Sequence, residues 1–322
     1  MLRSKMTAKE KLTYLHNPMS FYSQKGSLAL KQKNIPYTEQ IIDLHGGETH
    51  SPGYVENINP QGAVPVLKIE KDGHVRYIPD SEEIIKYLEE NYPDNGPKLI
   101  PAQGSKERQQ VDEFMALFNP LRVDLITYGC ILNPELTDGM VFPNLMRQRA
   151  MTMLVTNAER LEVLKRENPK LKDVYQSKID GWVDRKKTMT DIRAVAEIID
   201  NELAPLMGKI ETTLAQRYEA SGVNGTWLCS DTYTAADNYL AVLLQRLHFI
   251  GLSKRFIESN IYINRYYKQL KQNKNFYDVC IRIAIQMHVV QKLQALKPYV
   301  AGLAAASVVA GLGYFLYKKY IK

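Results

Sequence analysis

NPQGAVPVLKIEKDGHVRYIPDSEEIIKYLEENYP, residues 59–93, is the stretch on which the fold turns. Val64 to Ile69 is strand-like. Lys71-Asp72-Gly73 carries the Asp-Gly turn signal, so His74 to Ile78 is expected to return beside it as a hairpin. Asp80-Ser81 then caps a helix expected over Glu82 to Asn91, with acids in its first turn where the helix dipole favours them. The stretch reads ββα and is entered through the Val64-Pro65 dipeptide.

Upstream, residues 12–16 (LTYLH) form a short apolar strand candidate broken by Asn17-Pro18. Ser23 to Lys33 carries helix formers interrupted by Gly26 and stops at Asn34-Ile35-Pro36. Tyr37 to Leu44 reads as a second strand, so a βαβ crossover precedes the ββα unit. Downstream, Pro93, Gly96, Pro97, Pro101 and Gly104 mark a linker, beyond which no strand pattern recurs. Val111 to Leu117, with Phe114 and Phe118, shows a helical stripe. Thr234-Ala235-Ala236-Asp237 has capping-box spacing. It opens a helix, Ala235 to Phe249, that is apolar at Tyr239, Leu240, Leu243, Leu244 and Leu247, as a central buried helix should be.

A length of 322 residues points to two domains rather than one. The 45% hydrophobic and 24% charged balance excludes disordered and collagenous classes. Cys130, Cys229 and Cys280 form no CxxC pair, which argues against a disulfide scaffold and a thiolate zinc site. The histidines are scattered, with no HExxH, no paired-carboxylate cluster and no Gly-rich phosphate loop, so no metal chemistry is expected. The opening MLRSKMTAKE has no apolar run of the secretory kind.

The net charge of +7 is distributed unevenly. Residues 254–322 hold 12 lysines and arginines against Glu258 and Asp278, a net of +10, which leaves −3 for the rest of the chain. That stretch ends in YVAGLAAASVVAGLGYFLY, 19 uncharged residues from Tyr299 to Tyr317, followed by Lys318, Lys319 and Lys322. As a helix the run is roughly 28 Å long, close to the hydrocarbon thickness of a bilayer. Its tyrosines lie near its ends, where aromatic rings prefer the interface. The run is therefore read as a single C-terminal transmembrane anchor with residues 1–298 on the cytosolic side. The basic region 254–298 then faces anionic lipid, and a nucleic-acid partner is not expected. Phe276 to Lys297 has apolar residues at spacings of three and four, which suits a last packed helix or one lying on the membrane.

The order βαβ then ββα, with Val64-Pro65 entering the third strand and Asp80-Ser81 opening the last helix, resembles the thioredoxin-like domain of the glutathione transferases. The expected architecture is thus α+β followed by all-α. A thioredoxin-like domain at 1–92 and a linker at 93–104 precede a transferase-like helical domain at 105–274 with a charged insertion at 146–200. An amphipathic membrane-proximal helix at 275–298, the transmembrane helix at 299–317 and a basic tail at 318–322 complete the chain. The resemblance implies glutathione as ligand. Pro65 would be cis, turning the backbone so that Val64 offers its N–H and C=O to the cysteinyl part. The Ser81 hydroxyl and amide, with Asp80 and the helix N-terminus, would take the γ-glutamyl carboxylate. Ser20, in SFYSQKGSLAL (residues 20–30), matches the serine of theta- and zeta-like transferases. Its hydroxyl would donate to the sulfur and favour the thiolate, with Tyr22 and Ser23 as alternative donors in the same loop. The sequence departs from those relatives at Lys25, where they usually carry arginine, and at Gly26, expected to weaken the first helix.

Between Glu159 and Arg193 lie 10 basic and 7 acidic residues, read as exposed helix laced with ion pairs that buries little core. The insertion is a candidate surface for cytosolic protein partners or for a homodimer contact. Together, the SFYSQK stretch, the VPVL strand, the capped TAAD helix, the insertion and the tail resemble the ganglioside-induced differentiation-associated protein 1 family. That resemblance implies tail anchoring in the mitochondrial outer membrane, partly in peroxisomes, and a role in mitochondrial network morphology, fission and redox balance. Two readings stay open. One is action through partners and the membrane; the other is an active membrane-anchored glutathione transferase for hydrophobic electrophiles.

Overall fold

A computed structural model of the chain describes residues 10–140, 144–221, 227–283, 285, 286 and 289. The expected span 299–317, the tail 318–322 and most of 284–298 lie outside the described residues.

Strand β1 (Lys11–His16), helix α1 (Phe21–Gln32) and strand β2 (Thr38–Ile41) form the parallel crossover. Helix α2 (Pro52–Asn57) follows, then the hairpin β3 (Val66–Lys71) and β4 (His74–Pro79), and helix α3 (Ser81–Asn91). The sheet order is β2-β1-β3-β4, with β1 antiparallel to β3 from Lys11 opposite Glu70 to Leu15 opposite Val66. The expected strand over Val64 to Ile69 starts later, at Val66, because the Val64-Pro65 peptide is cis and precedes the ladder.

Helix α1 is buried along most of its length. Gly26 matters here for space: a Cβ on it would lie 2.2 Å from the Tyr14 hydroxyl oxygen. That hydroxyl donates to the Ser23 carbonyl at 2.7 Å, so the ring of β1 reaches beneath the helix. The low helix propensity expected at Gly26 is accompanied by a packing that requires a residue without a side chain. Lys25, beside it, is buried. Its ammonium lies 3.5 Å from a Glu82 carboxylate oxygen and 4.5 Å from the centre of the Tyr239 ring. Burial holds its pKa below that of an ordinary lysine, while Glu82 and Asp80 oppose the shift.

The helical domain begins with α4 (Lys106–Phe118), α5 (Val123–Leu132), α6 (Asn144–Glu167) and α7 (Lys172–Thr190). Helix α8 (Ile192–Ile198) runs through a π turn into α9 (Ala204–Ser221). Then come α10 (Ala235–Phe249), α11 (Ile261–Gln272) and α12 (Lys274–Phe276), the last continuing as a π turn to Ile281. Phe276 and Cys280 are buried, so this last segment is packed on the α domain. Among the described residues no single helix is long and apolar enough to cross a membrane.

Helices α6 and α7 fold back on each other and share the buried residues Leu161, Tyr175 and Ile179. Trp182 and Met189 of α7 enter the main core. The insertion therefore buries more than its charge density predicts, because a narrow apolar stripe is distributed over two helices whose outer faces carry the charge.

Helix α10 is the hub, with only His248 outside the buried set. Its capping box is formed. The buried Asp237 carboxylate accepts from the Thr234 N–H at 2.8 Å, the Thr234 hydroxyl at 2.9 Å, the Leu228 N–H at 2.6 Å and the Tyr266 hydroxyl at 2.8 Å. Removing it orphans several buried donors. Asp237→Ala should destabilise the protein by about 3–5 kcal/mol, read as a fall in the urea midpoint with an unchanged slope.

Candidate cleft between the two domains

A cleft of about 280 Å³ opens between the thioredoxin-like domain and the α5–α7 side of the helical domain. Ser20 and Val64 line it from one side, Asp124 and Tyr128 of α5 from another, and Lys178, Trp182 and Arg185 of α7 form its roof.

Ser20 is the N-cap of α1, and its hydroxyl oxygen accepts from the Ser23 N–H at 3.3 Å. The hydroxyl proton remains for a group in the cleft, at the positive end of the helix. Ser23 is fully buried and its own hydroxyl oxygen accepts from the Asn17 N–H, so it is no alternative donor to the cleft. Tyr22 is 38% exposed. Burial, then Asp124 and Asp80, push its pKa up to about 12 against the lowering effect of Arg185, so it stays a neutral O–H donor.

Val64 and Pro65 are buried beside Leu15, Ile42, Tyr54 and Val66 on the sheet face away from α1. Asp80 and Ser81 do not line the cleft. They lie at the end of β4, whose Pro79 pairs with Val66. Asp80 has a φ of 75° and turns its carboxylate onto its own helix, accepting from the Glu82 N–H at 2.7 Å and the Glu83 N–H at 3.3 Å. The Glu82 and Glu83 amides are thus taken, whereas the Ser81 amide is not one of those Asp80 accepts from. Ser81 is only 1% exposed, and its hydroxyl has no partner. A buried orphan hydroxyl at a helix N-terminus is what a ligand carboxylate would satisfy, and such a group would have to reach Ser81 from outside the cleft that Ser20 and Val64 line.

Sequence reasoning missed the roof and the loop beneath it. The Tyr175 hydroxyl donates to the His50 carbonyl at 2.8 Å, and an Arg160 N–H to the His45 carbonyl at 3.2 Å. The Lys178 ammonium donates to the Gln61 carbonyl. Gly62, with a φ of 60°, makes room for that ammonium: a Cβ there would meet it at 2.7 Å and the Thr49 carbonyl oxygen at 2.8 Å. None of these residues carries a spacing signal. The only hint is the density of lysine and arginine in the insertion.

The family described as Glutathione S-transferase, N-terminal domain matches residues 15–97. Over its whole length the chain is similar to the human Ganglioside-induced differentiation-associated protein 1-like 1, with 30% identity over 97% of this chain and 88% of the relative. The chain belongs to the ganglioside-induced differentiation-associated protein 1 family. Membership in that family is consistent with the transferase-like fold. Ure2p in complex with glutathione aligns with a TM-score of 0.57, 16% identity, and coverage of 84% of this chain and 97% of that one. The beta-etherase LigF from a Sphingobium strain also gives 0.57, with 18% identity over 84% of this chain and 98% of its own. At such identities these likenesses establish the fold alone.

His50 gives the family member's cleft a readable pH signature. Burial, then Lys178, Arg160 and Arg185, lower its pKa from 6.5 to about 4. The unfolded chain therefore takes up this proton at higher pH than the folded one, and acidification through that window favours unfolding. The free energy of unfolding should fall as pH drops from 6.5 towards 4, and the fall should be smaller in His50→Asn, measured by urea titrations at each pH.

Proposed function

We propose that the chain is a membrane-anchored, glutathione transferase-like protein. It binds glutathione in the Ser20–Val64 cleft and acts on mitochondrial network morphology, fission and redox balance through partners and the membrane rather than by ordinary conjugation. The observation that carries this reading is the contrast between the two ends of the site. Ser20 is intact at the N-terminus of α1 and faces the cleft, while Asp80 occupies the Glu82 and Glu83 amides at the start of α3. In this reading the Ser20 hydroxyl donates to the glutathione sulfur and the helix end favours its thiolate form. The Val64 backbone aligns the cysteinyl part. The Ser81 hydroxyl holds the γ-glutamyl carboxylate, in competition with Asp80.

The membrane part rests on the basic excess of residues 254–322 and the 19 uncharged residues inside it. Location at the mitochondrial outer membrane, partly in peroxisomes, comes from the family resemblance, whereas lipid contact through 254–298 rests on that region's basic excess and partner or homodimer contact through 146–200 on the charged insertion. Active conjugation of hydrophobic electrophiles is the second reading, and the cleft-facing Ser20 favours it.

Calorimetric titration of the full chain in detergent should give micromolar to low-millimolar glutathione binding, weakened by Ser81→Ala and largely kept in Ser20→Ala. No heat at about 10 mM glutathione, well above that affinity range, would remove the glutathione part of the proposal. Turnover of 1-chloro-2,4-dinitrobenzene that Ser20→Ala lowers at least tenfold would favour the second reading.

Deleting residues 299–322 should make a fluorescently tagged protein diffuse through the cytosol. A truncated protein that still coats mitochondria and reshapes their network would defeat the anchor.

A further inference from the structure

The roof of the cleft carries cations without counter-charges. Arg160, Lys178 and Arg185 surround His50, and among the described residues none of the three is ion-paired with a carboxylate. Asp124 is the carboxylate that lines the same cleft, from α5. Lys178 and Arg160 donate to backbone carbonyls, which leave their charge in place. The mutual repulsion is visible in the pKa directions: that of Lys178 is lowered by burial and by Arg185, and that of His50 by burial and then by all three.

Two buried polar atoms here also lack partners, the Trp182 indole N–H and His50 Nδ1. Trp182 is 7% exposed and lines the cleft. An orphaned buried donor among unpaired cations is costly unless a ligand completes it.

We propose that α7 builds a carboxylate seat over the cleft, with the Trp182 N–H, the Lys178 ammonium and the Arg185 guanidinium as its donors. All three belong to the charged insertion. The proposal deepens the reading of the cleft as a glutathione site and rests on it only for where the sulfur lies. The carboxylate has two chemical sources, the glycine end of glutathione itself or an acidic group on the molecule that meets its sulfur. Neutral imidazole at His50 adds a polar wall without charge.

The seat is tested on the full chain in detergent, first without glutathione. Benzoate and its neutral isostere benzamide are titrated while tryptophan fluorescence is followed. Benzoate should bind about ten- to a hundredfold more tightly than benzamide, the range expected for hydrogen bonds to a charged group. The preference should vanish in Lys178→Gln/Arg185→Gln, shrink roughly threefold or more in Arg185→Gln alone, and persist in Lys186→Gln/Lys187→Gln, which removes equal charge from exposed positions of the same helix. Circular dichroism of each variant establishes that it is folded.

Equal affinity for benzoate and benzamide, or a preference unchanged in a folded double variant, would overturn the seat whatever glutathione does. The source follows from two further pairs. Glutathione against γ-glutamylcysteine isolates the glycyl carboxylate. S-carboxymethylglutathione against S-carbamoylmethylglutathione isolates an acidic partner group. The pair whose difference disappears in the double variant names the occupant.

Discussion

The enclosure of α1 between the sheet and α10 is the constraint on which the other features depend. Its first turn has to present Ser20 to the cleft while its middle is buried on all sides. Three contacts from α10 hold it there. Asn238 donates to the Lys25 carbonyl at 2.7 Å, Arg246 to the Met19 carbonyl at 2.7 Å, and the Tyr239 ring faces the Lys25 ammonium. From below, Tyr14 closes on Ser23 through the gap left by Gly26. A shift of α10 would therefore move the cap of α1 directly. The buried Asp237 box fixes α10, so a residue with no place in the cleft helps set the position of the Ser20 hydroxyl.

The insertion obeys a different economy. A helix pair with this much charge would stand free in water, but its apolar stripe commits it to the loop that carries His50 and Gln61. Cations at the edge of that stripe are drawn over the cleft with it. Their mutual repulsion is screened in part by water, since Arg185 is exposed, and a bound anion would relieve the rest and steady the roof. A feature that reads as surface in composition thus becomes part of the cavity wall.

Legibility followed the physical range of each signal. The Asp72-Gly73 turn, the Asp80 cap, the break at Asn17-Pro18 and the Thr234–Asp237 box are local, set by hydrogen bonds within four residues, and each element they predict is present within two or three residues of its expected bounds. Ser20 and Val64 could be singled out because they belong to those local units. What Gly26 and Lys25 do was hidden, since both depend on partners far along the chain, Tyr14 across the sheet and Tyr239 in the other domain. His50, Lys178 and Trp182 meet through contacts more than a hundred residues apart in sequence, and no periodicity encodes such a meeting.

The two ends of the site are capped by groups of different charge, and electrostatics says why that matters. At α1 the capping group is a neutral hydroxyl with a proton to give, so it adds to the helix dipole in favouring an anionic sulfur. At α3 the capping group is itself an anion, tethered one residue from the amides it covers. A tethered carboxylate competes at an effective concentration on the order of millimolar. A glutathione bound as proposed would compete with Asp80 at the Ser81 end, with the Ser81 hydroxyl as its net gain there. In the proposed mode the thiol end would be held more firmly than the γ-glutamyl end.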